Sequence, residues 1–233
     1  MRSLGITRGS RLTFTLSFVL LIYGCASMST QSVPGACPNN SDSKIENFCV
    51  VTPNVLWRGG ALDTKERATW LIQQRVRTIV NLERLHDDLP AFRQVNVGNA
   101  TNYEEVGYFR IPDWEPNPIL APSLLLDNHV AHFLAVVSTQ PKPVYVHCRS
   151  GKNRTGVMVA AYRVIVEGVS ADEAIEEMGR YQGQWFEADA SYIRGLSPKH
   201  REEIRRKVME WIPKLKEDAQ IVCEKRACAI SNR

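Results

Sequence analysis

One stretch of ten residues constrains this chain more than any other: His147-Cys148-Arg149-Ser150-Gly151-Lys152-Asn153-Arg154-Thr155-Gly156. It sets Cys148 and Arg154 six positions apart around a glycine. Residues 143–146, Pro-Val-Tyr-Val, form an apolar run of strand length just before it, and residues 157–166 form an apolar run long enough for a packed helix just after it. A strand, a tight loop and a helix in that order build an anion cradle. Loop N–H groups point inward, and the helix N-terminus adds partial positive charge. The same field favours the thiolate of a cysteine at the start of the loop, which makes Cys148 a candidate nucleophile. Arg154 offers a planar fork that grips two oxygens of one anion, which a lysine could not. Gly151 permits the turn, and the backbone N–H groups of Ser150, Gly151 and Asn153 with the charges of Arg149 and Lys152 complete the candidate phosphate-binding set.

The flanking sequence predicts an α/β fold. Residues 54–57, 78–82 and 108–111 read as strands. A helix is expected over 64–74, with Thr64 as N-cap and Glu66 and Arg67 in its first turn. Pro122 opens a second helix with Leu125, Val130, Phe133, Leu134 and Val137 on its apolar face. Ser170-Ala171-Asp172-Glu173 is a capping-box start for a helix reaching about Arg180. Residues 198–216 read as a charged surface helix, kinked or broken by Pro213. Strands alternating with helices imply a central, mainly parallel sheet flanked by helices, with the phosphate loop between a strand and a helix.

The N-terminus reads as a targeting segment. Arg2, Arg8 and Arg11 precede the apolar run 12–23, which is too short to span a bilayer and fits the core of a signal peptide. Ile22-Tyr23-Gly24-Cys25 resembles a bacterial lipoprotein cleavage box, in which Cys25 is lipidated and tethers the chain to a membrane; simple cleavage near Ala26 and an uncleaved anchor are the alternatives. The expected divisions are a signal peptide over 1–24, a Ser/Asn/Pro/Gly-rich tether over 25–48, and one domain over 49–233 that ends in a helical extension. The chain carries a net charge of +4; the signal segment holds three arginines and no acid, so its removal leaves a charge near +1. The basicity therefore reports targeting, and no nucleic-acid partner is expected. Of six cysteines, Cys37, Cys49, Cys223 and Cys228 remain after Cys25 and Cys148 are assigned. An even remainder in an exported protein suggests up to two disulfides, with connectivity open.

The pattern His-Cys-(x)5-Arg-Thr-Gly resembles the phosphate loop of the cysteine-dependent protein tyrosine and dual-specificity phosphatases. Trp57-Arg58-Gly59-Gly60, residues 162–168 and residues 174–178 resemble the small dual-specificity group, exported bacterial members in particular. Rhodanese-like loops set the arginine one residue nearer, and low-molecular-weight phosphatases carry their loop close to the N-terminus. The resemblance implies that Cys148 forms a phosphocysteine, that Thr155 helps the sulfur leave, that His147 orders the loop, and that Arg58 is structural. It also implies a general acid on the loop after an upstream strand. There Asp113 and Glu115 compete, each with a proline three residues later; Asp113 is favoured because the family overwhelmingly uses aspartate.

The expected activity is metal- and cofactor-independent hydrolysis of phosphotyrosyl proteins, with phosphoseryl and phosphothreonyl proteins also accepted, in the bacterial periplasm or on an envelope membrane. Arg149 and Lys152 put two further positive charges at the pocket mouth, as in inositol-phosphate and phospholipid phosphatases, which is the first rival reading. A non-catalytic phospho-ligand binder is the second; it would have no need of Cys148, Arg154 and Thr155 together. His129 and His132, three apart, and His86-Asp87-Asp88 lack a third ligand at metal spacing, so a surface role is expected for them. Tyr181, Trp185 and Tyr192 are candidates for a substrate surface or for core packing.

Overall fold

The computed structural model describes residues 43–95, 105–112, 123–181, 186–224 and 227–232. All belong to the unit Ser32–Arg233; the other unit, Met1–Gln31, lies outside the described residues. The apolar run before the loop is strand β5 (Val144–His147), buried at all four positions. Its neighbours are β2 (Leu56–Gly59) and β3 (Thr78–Asn81), both parallel to it. Strand β4 (Val106–Arg110) follows β3 in parallel. Such strands, covered on both faces, favour apolar sequence; the buried polar residues Arg58, Asn81 and His147 stand at or next to the strand ends nearest the loop.

Antiparallel strands finish both edges. Strand β1 (Cys49–Thr52) pairs with β2, and a C-terminal hairpin of β6 (Ala219–Glu224) and β7 (Ala227–Asn232) pairs with β4, giving the order β1-β2-β5-β3-β4-β6-β7. The helical extension expected at the C-terminus is therefore only partly right. Helix α7 (Pro198–Trp211) forms, a 3-10 turn at Ile212–Lys214 follows at Pro213, and the chain then returns to the sheet as the hairpin. Ala219, Ile221 and Cys223 alternate inward, so β6 is held by burial of one face.

The two faces of the sheet build two cores. Val144 and Val146 of β5, Val80 and Phe109 face helices α3 (Ser123–Thr139), α4 (Asn153–Tyr162), α5 (Ala171–Gly179), α6 (Phe186–Arg194) and α7. Tyr145, Ile79 and Tyr108 face α1 (Lys65–Gln73) and the single turn α2 (Leu89–Phe92). Thr64 caps α1 through Arg67 N, and Ser170 and Glu173 form the capping box of α5. In α3, Val130, Phe133, Leu134 and Val137 are buried as expected, but Leu125 is exposed and Leu126 takes the core position. The helix after the loop runs as α4 to Tyr162, continues as a π-helical turn to Glu167 and stops at Gly168 in the left-handed region. A tether ending at 48 is too long: Ile45 is buried in the core beside α1, and Asn47 bonds to the loop through Ser150 O.

Candidate active site

The loop between β5 and α4 is held by its carbonyls. His147 O accepts from Leu82 N (2.9 Å), Arg149 O from Ala61 N (3.0 Å), Ser150 O from Asn47 Nδ2 (2.7 Å) and Gly151 O from Arg58 Nη2 (2.5 Å). Turning these oxygens outward turns intervening N–H groups toward the loop's interior, where the unsatisfied N–H groups at the start of α4 join them. Gly151 has φ +70°, and a Cβ there would lie 2.5 Å from the carbonyl carbon of Gly59. Backbone conformation and space thus both demand glycine.

Cys148 is 3% exposed, and it is the free cysteine of the described residues. Arg154, half-buried on the first turn of α4, is steadied by donation from Nη1 to Leu82 O (3.3 Å). Thr155 is fully buried, and its hydroxyl has no hydrogen-bond partner among the described residues. Its proton is therefore available to a group brought into the loop. Arg149 is exposed and Lys152 half-exposed, which leaves both cations at the loop's outer side. Arg58 is completely buried beneath the loop, 3.6 Å over the ring of Tyr181. Burial pulls its guanidinium below the ordinary value, against attraction from Tyr181, Glu177 and Cys148. Tyr181 thus supports Arg58 rather than lying free on a substrate surface.

The loop's first two residues part to opposite sides of the sheet. Cys148 joins the core under α3–α7, while His147 stacks on Tyr145 (5.5 Å) on the α1–α2 side. There His147 Nε2 lies 2.9 Å from Asp88 Oδ2 as an ion-pair contact, the ring N–H not aimed squarely at the oxygen. The expectation of a surface role for Asp88 is overturned. Its carboxylate is fully buried and accepts from Leu62 N (3.0 Å), Asn81 Nδ2 (2.9 Å) and the Tyr108 hydroxyl (2.9 Å). Burial pushes this carboxyl up, but His147, His86 and Tyr108 outweigh it and hold it well below the usual carboxylate range. His86, 3.3 Å from Asp88 Oδ1, is raised mainly by that contact.

The other candidates fall elsewhere. Asp113, Glu115, Trp185, Cys25 and Cys37 lie outside the described residues. Tyr192 donates to Asp127 (2.9 Å), and His132 stacks on Trp211 at 4.0 Å, where burial pulls it down to about 4. Among the described residues no cluster of His, Cys, Asp or Glu could hold a metal ion. Cys223 and Cys228 form a disulfide across the hairpin, and Cys49 is also disulfide-bonded. Sequence reasoning missed Asn47, Asn81 and Tyr108, and gave Asp88 a surface role. One signal pointed to Asp88: a histidine ending the buried run Val144–His147 requires a buried acceptor.

A family model described as DSP-PTPase phosphatase fused to NAD+ kinase matches residues 36–194. The dual specificity protein phosphatase TpbA of Pseudomonas aeruginosa is 45% identical over 56 residues, 23% of this chain and 26% of that protein, so the match spans about a quarter of the relative's length. The crystal structure of P. aeruginosa TpbA in complex with pTyr aligns with TM-score 0.51 at 26% identity, over 72% of this chain and 93% of that one. The core catalytic domain of the Saccharomyces cerevisiae PP-IP phosphatase SIW14, at TM-score 0.51 and 19% identity over 72% of this chain and 96% of that one, shares the fold. With a phosphate loop of this geometry and a family model covering more than half of its residues, the chain belongs to the dual-specificity and protein tyrosine phosphatase family.

Proposed function

We propose that the chain hydrolyses phosphate monoesters on proteins, phosphotyrosine foremost and phosphoserine and phosphothreonine as well. The observation that carries this is the loop itself: carbonyls bonded outward, buried Cys148 at its start and Arg154 at its end. Cys148 Sγ attacks phosphorus, the bond to the leaving oxygen breaks, and that oxygen takes a proton from Asp113, with Glu115 as the alternative donor. Arg154 and the loop N–H groups stabilise the equatorial oxygens as charge spreads. Water then attacks the phosphocysteine and gives its proton to the carboxylate, and sulfur leaves as thiolate with the Thr155 hydroxyl beside it. A TpbA structure holding pTyr, at 26% identity, supports phosphotyrosine as the first substrate to test.

The exposed Arg149 and half-exposed Lys152 favour one second reading, a soluble inositol phosphate as substrate. Comparing kcat/KM for a phosphotyrosine peptide and an inositol polyphosphate, without added metal and with Cys148→Ser as blank, decides between them. A clear advantage for the inositol phosphate overturns the phosphoprotein reading. Asp113→Asn should lower kcat about 10²–10⁴-fold on an alkyl phosphate and less on an activated aryl phosphate; a larger loss in Glu115→Gln would assign the proton to Glu115.

The place of action we propose is the bacterial envelope, through export by residues 1–24 and lipidation of Cys25. Disulfide bonding of Cys49, Cys223 and Cys228 supports an oxidising compartment. Membrane fractionation of the full chain against Cys25→Ala tests it: release of the variant from membranes is expected, and equal retention would exclude the lipid tether.

A further inference from the structure

We infer that Asp88 is a positioning residue of the hydrolytic site, acting through His147 to set the attitude of the phosphate loop. This rests on the reading of Cys148 and Arg154 as the phosphate-handling pair.

Asp88 stands at the N-cap of α2, but its side chain makes no capping hydrogen bond; the neighbouring Asp87 accepts from Leu89 N (3.0 Å) instead. Helix capping therefore does not explain why a carboxylate is buried here. A buried charge persists only where several donors surround it. Three donors bond to it, Leu62 N after β2, Asn81 at the end of β3 and Tyr108 on β4, and two histidines make ion-pair contacts with it, His147 at the end of β5 (2.9 Å) and His86 (3.3 Å). Asp88 is thus fixed by three hydrogen bonds and presents Oδ2 to the ring of His147. An ionised carboxylate only accepts, so a proton on the facing Nε2 is favoured, and the attraction across 2.9 Å holds the ring in place. The ring is stacked on Tyr145, and the carbonyl of His147 is bonded to Leu82 N. Leu82 O in turn accepts from Arg154. One carboxylate thus governs the peptide leading into Cys148, and through Leu82 that peptide is tied to the arginine at the loop's far end.

The test is a double-mutant cycle on the full chain with Asp88→Asn, His147→Asn and the double variant. It is read as kcat and KM on a phosphotyrosine peptide and as the affinity of orthovanadate, an oxyanion that enters the loop without turnover. Asp88→Asn should lower kcat up to about 10²-fold with a smaller change in KM, because a displacement near 1 Å has that effect. Vanadate affinity should fall alongside. The double variant should lose no more than the worse single variant, since both changes break one contact. Additive losses, or a drop in thermal midpoint with unchanged kcat and vanadate affinity, would overturn the proposal. Should Asp88→Asn fail to fold, Tyr108→Phe, which loosens the carboxylate while sparing the ring, replaces it in the same cycle with the same criterion. Wild-type protein that binds vanadate without turnover would refute the hydrolytic reading alone, and the vanadate cycle would still decide the role of Asp88.

Discussion

Two histidine–aspartate contacts of nearly equal length sit at opposite ends of this molecule's chemistry. His147 lies 2.9 Å from Asp88, and His200 lies 2.8 Å from Asp127. The first pair is wholly buried; in the second the histidine side chain is 21% exposed. Asp88 gathers donors from three strands and reaches the loop, whereas Asp127 gathers Tyr192, His200 and Lys207 and so ties α3 to α6 and α7. His200 also faces the Gly195 carbonyl through Nδ1 (3.1 Å). Two acceptors on one ring favour the imidazolium. Distance alone therefore says little about role. What each pair is attached to, the phosphate loop or a set of helices, decides its role.

The comparison breaks most visibly in turnover. His147→Ala should reduce kcat/KM by roughly 10² while His200→Ala leaves it within about twofold, in steady-state assays corrected for folded fraction. Equal losses would erase the distinction. Next comes stability: Asp127→Ala strands three donors and should cost about 2–3 kcal/mol by urea denaturation, with kcat/KM per folded molecule unchanged. The smallest effect is a pH dependence. Burial would pull His200 down, but Asp127 and the Gly195 carbonyl outweigh it and raise it above its ordinary value. A raised folded value means the contribution is fully present below the unfolded value, about 6.5, and is lost as pH rises through the folded one. The stability gap between wild type and His200→Gln should therefore be widest near pH 5.5 and shrink on the alkaline side. A gap that widens with pH would reverse the sign.

How far each pair was readable from sequence follows from what holds it. The loop was legible because its chemistry is local: Cys148, Gly151 and Arg154 sit at fixed spacing between a strand and a helix, and the Thr64 and Ser170 caps are equally local. Asp88 was not, because its neighbours in sequence, His86 and Asp87, suggest a solvated cluster. Only the side-by-side placement of β3, β4 and β5 buries it. The hairpin of β6 and β7 was missed for a related reason. Its inward alternation at Ala219, Ile221 and Cys223 is short and follows a strongly charged helix, so the helical pattern masked the change of period. Arg58 was expected to be structural, and its seat under Gly151 is of that kind.

Cys148 is the proposed carrier of the phosphoryl group. Rapid quench of the full chain with a phosphotyrosine peptide, followed by peptide mapping, tests it most directly. A phosphoryl adduct on Cys148, formed as fast as the tyrosyl peptide is released and absent from Cys148→Ser, is the predicted result. Undiminished turnover in Cys148→Ser, or an adduct on another residue, would contradict it.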